Sequence, residues 1–191
     1  MPSNKDNLRE NVVSEVTSNP GSSVLLRLAE GDSLLTGLYL FQALVNEKKM
    51  KGIYLSCNAN SPYHFLDNYF SAHRIDTSKV TFIDTVTLPM LGKPTSESEN
   101  AFFTQGSVTS DAMSVLKELV YSVDGLSFIY LDSLTEMLKF HTEDEIVGFL
   151  AELTNLTKQH KMAGLILSFY GEREAELVKS VTEYCSRCIE L

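Results

Sequence analysis

Two apolar stretches separated by a short polar turn set the architecture of this chain. Val24-Leu25-Leu26 is an uninterrupted apolar run, the pattern of a strand buried on both faces. Ala29-Glu30-Gly31-Asp32-Ser33 reads as a turn, and residues 34–45 are almost all apolar, which predicts a largely buried helix. A strand with two buried faces needs a layer of helices above it and another below.

The rest of the chain has the material for those layers. Residues 4–17 form an amphipathic pattern with Leu8, Val12, Val13 and Val16 on one side, ended by Ser18-Asn19-Pro20-Gly21. Further strands are expected at 52–57, 80–84, 126–132 and 164–169, with an edge-like strand at 185–191. Helices are expected between them. One spans 63–73, facing inward through Phe65, Leu66, Tyr69 and Phe70. Another spans 110–123, capped by Ser110 or Asp111, with Met113, Leu116, Leu119 and Val120 inward. A third spans 142–160, started by the capping-box spacing Thr142-Glu143-Asp144-Glu145, with Ile146, Phe149, Leu150, Leu153 and Leu156 inward. The last spans 172–184. Such alternation predicts a three-layer α/β/α domain with a mainly parallel central sheet. Residues 1–20 are its lead-in helix, and 21–191 are one domain.

Residues 85–109 fit no period. They hold Pro89, Gly92, Pro94, Gly106 and a polar run over 95–100. A segment of this kind is a surface excursion or, through Leu88, Met90, Leu91, Phe102 and Phe103, a partner-docking loop.

Charge and cysteine content narrow the function. A net charge of −9 repels nucleic-acid phosphates and anionic membranes on average. Lys48, Lys49 and Lys51, the densest basic cluster, suit a solvated helix C-terminus. No apolar run approaches the roughly 18 residues of a membrane span, and residues 1–15 are polar and mixed in charge, so a cytoplasmic setting is expected. Cys57, Cys185 and Cys188 are too few for a disulfide framework. Cys185-Ser186-Arg187-Cys188 has CxxC spacing but no second pair to complete a zinc site. His64, His73, His141 and His160 are scattered, and no metal site is expected. Asn155-Leu156-Thr157 matches a glycosylation acceptor but falls inside a predicted helix. No Ser–His–acid order or paired carboxylates mark an enzyme.

The order of elements resembles the RecA superfamily, and within it the archaeal KaiC-like ATPases. Gly21-Ser22-Ser23-Val24-Leu25-Leu26 stands where that family has the strand leading into its phosphate-binding loop. Gly52-Ile53-Tyr54-Leu55-Ser56 matches its next strand. Tyr130-Leu131-Asp132-Ser133 matches the strand whose Asp-Ser pair helps hold the nucleotide's magnesium. The resemblance spans 21–191. It implies a P-loop NTPase fold, an archaeal source and side-by-side association.

Departures from the family pattern fall at its chemistry. A phosphate-binding loop needs glycines, a Lys for the terminal phosphates and a Ser or Thr for magnesium. Aligned on Gly31, those last two positions are Leu34 and Leu35, and the flanking glycines become Leu28 and Ser33. Glu30, Gly31, Asp32, Ser33, Leu34 and Leu35 thus read as a degenerate Walker A segment, and Asp132 and Ser133 as a vestigial Walker B. The place of the family's water-activating Glu reads Ser56-Cys57-Asn58-Ala59-Asn60. The expectation is a pseudo-ATPase with no catalytic residues, cofactor or metal. It would act through a protein partner, either its own copy or an active ATPase. The alternative is a nucleotide or small-ligand sensor lined by Arg27, Asp32, Asn58, Asn60 and Asp132. Arg27, unusual in an apolar strand, is expected to reach an acidic group such as Asp132.

Overall fold

A computed structural model describes residues 4–29, 32–94, 98–105 and 109–190, without the side chains of 4–9, 33 and 172–175. Seven parallel strands form one sheet. They are β1 (Ser23–Leu28), β2 (Lys51–Ser56), β3 (Val80–Asp84), β4 (Ala101–Phe103), β5 (Leu126–Asp132), β6 (Ala163–Phe169) and β7 (Arg187–Glu190), in the order β4-β3-β2-β5-β6-β1-β7. Every pairing is parallel. The helices are α1 (Asn4–Ser18), α2 (Ser33–Phe41), α3 (Tyr63–Ala72), α4 (Thr87–Leu91), α5 (Ser110–Ser122), α6 (Leu134–Met137), α7 (Glu143–Gln159) and α8 (Glu172–Thr182).

Strand periodicity divides the core. Val24, Leu26 and Leu28 of β1, Tyr54 of β2 and Phe128 and Tyr130 of β5 face one side. There they meet Val12, Val13 and Val16 of α1, Phe41 of α2 and Leu66 and Phe70 of α3. Phe41 is the hub of that layer, with its ring centroid 5.0–5.5 Å from those of Tyr54, Phe70, Phe128 and Tyr130. The opposite face carries Leu25, Leu55, Ile129 and Ile166 against α5, α7 and α8. The three-layer α/β/α expectation therefore holds, and α1 packs into the same core as the rest.

Several details differ from the sequence reading. The irregular 85–109 segment contains α4 and a seventh strand, β4, which adds to the free side of β3. Three residues are too few to display a period. Helix α2 continues into a π-helical turn, Gln42–Glu47, that keeps Ala43, Leu44 and Val45 buried. Helix α6 was not anticipated. Helix α5 begins at Ser110, so its N-cap is Thr109 rather than Ser110 or Asp111. Phe65, expected inward, is exposed and stacks on Tyr69. The capping box is present as read, with Thr142 and Glu145 exchanging both bonds. No helix among the described residues is long and apolar enough to cross a membrane.

Candidate functional site

In a parallel sheet the strands end along one edge, and ligands of open α/β sheets bind outside it. The sequence-predicted site residues that are described lie along this edge, because each follows a strand or stands in its last residues.

The turn after β1 comes first. Glu30 and Gly31 lie outside the described residues, as does the side chain of Ser33. Asp32 is exposed and stands at the N-cap of α2 without a side-chain capping bond. Its carbonyl accepts from Thr36 N at 2.9 Å. Leu34 and Leu35 are half-buried and pack on the core. Their apolar side chains can lower their free energy only by turning inward, so the first turn of α2 is pulled onto the sheet. Gly37 permits that approach: a Cβ there would lie 3.1 Å from the Tyr130 hydroxyl oxygen.

Asp132, which closes β5, is fully buried. Its Oδ2 accepts from the Tyr54 hydroxyl at 2.7 Å, while Oδ1 has no partner among the described residues. Burial pushes its carboxyl up to about 6; the Tyr54 bond partly opposes this, and the nearby Glu136 charge adds to it. Burial, reinforced by the Asp132 charge, also raises the Tyr54 and Tyr130 phenols well above their ordinary value, so both remain neutral donors. Tyr130 Oη has no partner among the described residues. Ser133 Oγ accepts from Glu136 N at 3.4 Å and so starts α6. Both Glu136 carboxylate oxygens accept from Lys139 Nζ at 2.7 Å.

The loop after β2 is tied down by its own polar groups. Ser56 Oγ donates to the Ser61 carbonyl at 2.7 Å, and Asn58 Oδ1 accepts from Asn60 N at 2.9 Å. Asn58 is buried and Asn60 exposed. The Cys57 thiol is buried and pushed far above its usual value by desolvation, which keeps it protonated and unreactive.

One carboxylate of this edge escaped the sequence reading. Asp84, closing β3, is buried and accepts four bonds: from Tyr63 N and Thr87 Oγ1 on Oδ2, and from Val86 N and Thr87 N on Oδ1, all at 2.6–2.8 Å. It fastens the starts of α3 and α4 to the sheet. An Asp closing a strand and followed by Thr-Val-Thr is a signal for such a turn.

The expected approach of Arg27 to Asp132 does not occur. Arg27 continues the face of Leu25, whereas Asp132 continues that of Tyr130, so the sheet lies between them. Arg27 Nη1 instead donates to Glu190 Oε1 at 2.7 Å, and its guanidinium lies 4.8 Å from the Tyr170 ring centroid. The residues suggested for a sensor therefore do not converge: Arg27 and Asp132 point to opposite layers, and Asp132 is sealed from solvent.

Other candidates are local. His73 Nδ1 lies 2.8 Å from the Tyr69 carbonyl, His141 lies 3.7 Å from Glu145, and His160 meets the Tyr121 ring edge-on. Cys185 and Cys188 are free thiols; burial raises Cys185 to about 12. Among the described residues no three His, Cys, Asp or Glu side chains are arranged to hold a metal.

No family model matches the chain, and no curated protein matches its sequence. Among solved structures it is similar to a KaiC-like protein from the hyperthermophilic archaeon Pyrococcus horikoshii OT3. The TM-score is 0.63 at 12% identity, over 90% of this chain and 71% of that one. At that identity the likeness establishes the fold alone: the chain has a RecA-like α/β fold.

Proposed function

We propose that this chain is a RecA-like domain that neither binds nor hydrolyses ATP and works by associating with other proteins, either its own copies or an active ATPase. One observation carries the reading. Where a phosphate chain and its magnesium would sit, Leu34 and Leu35 pack on the core and Asp132 is buried on Tyr54. No side chain from Asp32 to Thr36 is cationic. Seating phosphate oxygens against two leucines would leave charge unpaired, at a cost of several kcal/mol. Asp32 would add like-charge repulsion. A carboxyl with a raised proton affinity and one oxygen already bonded is also a poor magnesium ligand. The residues present do not fit a magnesium–nucleotide, and no catalytic step is assigned to them.

On this reading Glu30 to Leu35 are a degenerate Walker A segment, and Asp132 and Ser133 retain the place of a Walker B pair for structural reasons. An archaeal source belongs to the same proposal and rests on the resemblance; a cytoplasmic setting is proposed with it because no apolar run in the sequence is long enough to span a membrane. The sensor alternative draws less support, since its suggested lining is split between two layers. Affinity capture from the native host with mass spectrometry tests the proposal. A stoichiometric protein partner, or self-association, is expected; a monomer that captures nothing reproducible would count against it.

A further inference from the structure

We infer that the domain associates end to end, with the C-terminal edge of its sheet docking on the N-terminal edge of a second copy. This rests on the reading that the domain works through protein association, and it adds the partner and the surfaces. It also departs from the side-by-side arrangement that the family resemblance implies.

Because every strand is parallel, one edge of the sheet collects the strand starts and the other the strand ends. At the starts, Lys48, Lys49 and Lys51 lead into β2, Arg74 precedes β3, and Lys158 and Lys161 precede β6; all are exposed. They outnumber the nearby Glu47, Asp124 and Glu183, and Asp76, which is paired with Lys79. Lys51 donates to the Asp124 carbonyl; the other five have no carboxylate partner among the described residues. Helix C-termini attract cations, which accounts for part of this. Lys49, Arg74 and Lys161 each follow a helix C-cap at φ of 60°, 61° and 54°, where the dipole favours their charge and the backbone favours glycine. Glycine is the unstrained residue at such left-handed positions, yet a cation stands at each.

The strand ends are the complement. Among the described residues, Asp32, Glu143 and Asp144 are exposed there and Asp111 partly so, against Lys93, the Glu136-bound Lys139 and the Glu190-bound Arg27. This edge also exposes Met90 (64%), Leu91 (58%) and Phe140 (65%) to water. Helix dipoles give no reason for large apolar side chains there, whereas a docking surface does. The basic edge offers an apolar counterpart in Tyr121, which is 72% exposed. A two-fold contact through either edge would oppose like charges. Opposite edges attract, so the contact is head to tail and builds short chains or a ring.

Sedimentation of the full chain over a concentration series tests this. Self-association is expected, weakening at least about tenfold between about 0.05 M and about 0.5 M NaCl. Two variants each remove one edge. Lys48→Ser/Lys49→Gly/Lys161→Gly neutralises the basic edge, and glycine preserves the left-handed backbone at 49 and 161. Asp111→Ser/Glu143→Ser/Asp144→Ser neutralises the acidic edge. Circular dichroism establishes that each is folded. Each variant alone should be monomeric, and their mixture should form one-to-one pairs that grow no further, because each retains the edge that the other lacks. A wild type monomeric at both salt concentrations, variants that associate as wild type does, or a mixture that fails to pair would overturn the inference. So would a monomer whose basic edge binds duplex DNA and loses that binding in the lysine variant, which would reassign the edge to a polyanion. A monomer that captures another protein and shows no response to magnesium–ATP overturns this inference alone. Stabilisation by magnesium–ATP overturns the non-nucleotide reading, whatever the oligomeric state.

Discussion

Asp84 and Asp132 close β3 and β5 on the same face of the sheet, both buried, and the fold treats them in opposite ways. Asp84 is surrounded by four donors, three of them backbone N–H groups at the starts of α3 and α4. Among the described residues, Asp132 has one aromatic hydroxyl on one oxygen and nothing on the other. A buried carboxylate is tolerated when oriented N–H groups replace its water, and one left short of donors gains proton affinity instead. The first is a fastening of the fold. The second is a charge that the surrounding protein does not offset.

The largest effect should come from Asp84→Ala. It leaves three N–H groups and the Thr87 hydroxyl without their acceptor, and a loss of roughly 3–5 kcal/mol in urea unfolding is expected. A loss under about 1 kcal/mol would mean that water or a neighbouring group replaces the carboxylate.

Asp132→Asn should behave differently, and its effect should depend on pH. The carboxyl rises from 3.8 to about 6 on folding, so the folded state holds the proton more tightly than the unfolded one. The resulting stabilisation is fully present below the unfolded value and is lost as pH rises through about 6. Measured against Asp132→Asn, wild type should lose roughly 2–3 kcal/mol between about pH 4 and pH 7. Parallel stability curves for the two proteins would show that Asp132 ionises no differently in the fold.

Tyr54→Phe removes the one donor that the described residues place on the Asp132 side chain. A loss of about 1–2 kcal/mol at neutral pH is expected, with the Asp132 midpoint moving further up, since the Tyr54 bond holds it down. The smallest effect belongs to Glu190→Ala. Its bond to Arg27 lies at the sheet margin with Glu190 62% exposed, so at most about 1 kcal/mol should be lost.

How far the sequence exposed this contrast depends on the range of each interaction. Strand β3 was legible to the residue, since 80–84 is a short run rich in β-branched and aromatic residues that ends in a turn. The capping box of α7 was legible because its partners are three residues apart. The fold class followed from repeated local patterns of this kind. The Tyr54–Asp132 bond joins residues 78 apart in the chain, and no local pattern announces it. Arg27 and Asp132 were assigned to each other because both stand at strand ends. Which layer each faces depends on strand orientation, and a single strand's apolar run does not reveal that. On the proposed alignment, Leu34 and Leu35 stand at positions where a RecA-like ATPase would carry a lysine and a hydroxyl, and that was legible in the sequence. Their packing on the core gives that substitution its physical consequence.

Whether that consequence is the loss of nucleotide is best read from thermal unfolding of the intact chain with and without magnesium–ATP. A domain binding with a Kd of about 10 μM would gain about 2.7 kcal/mol at roughly 1 mM nucleotide. The account predicts an unchanged unfolding midpoint. A saturable rise in the midpoint, abolished when magnesium is chelated, would contradict it.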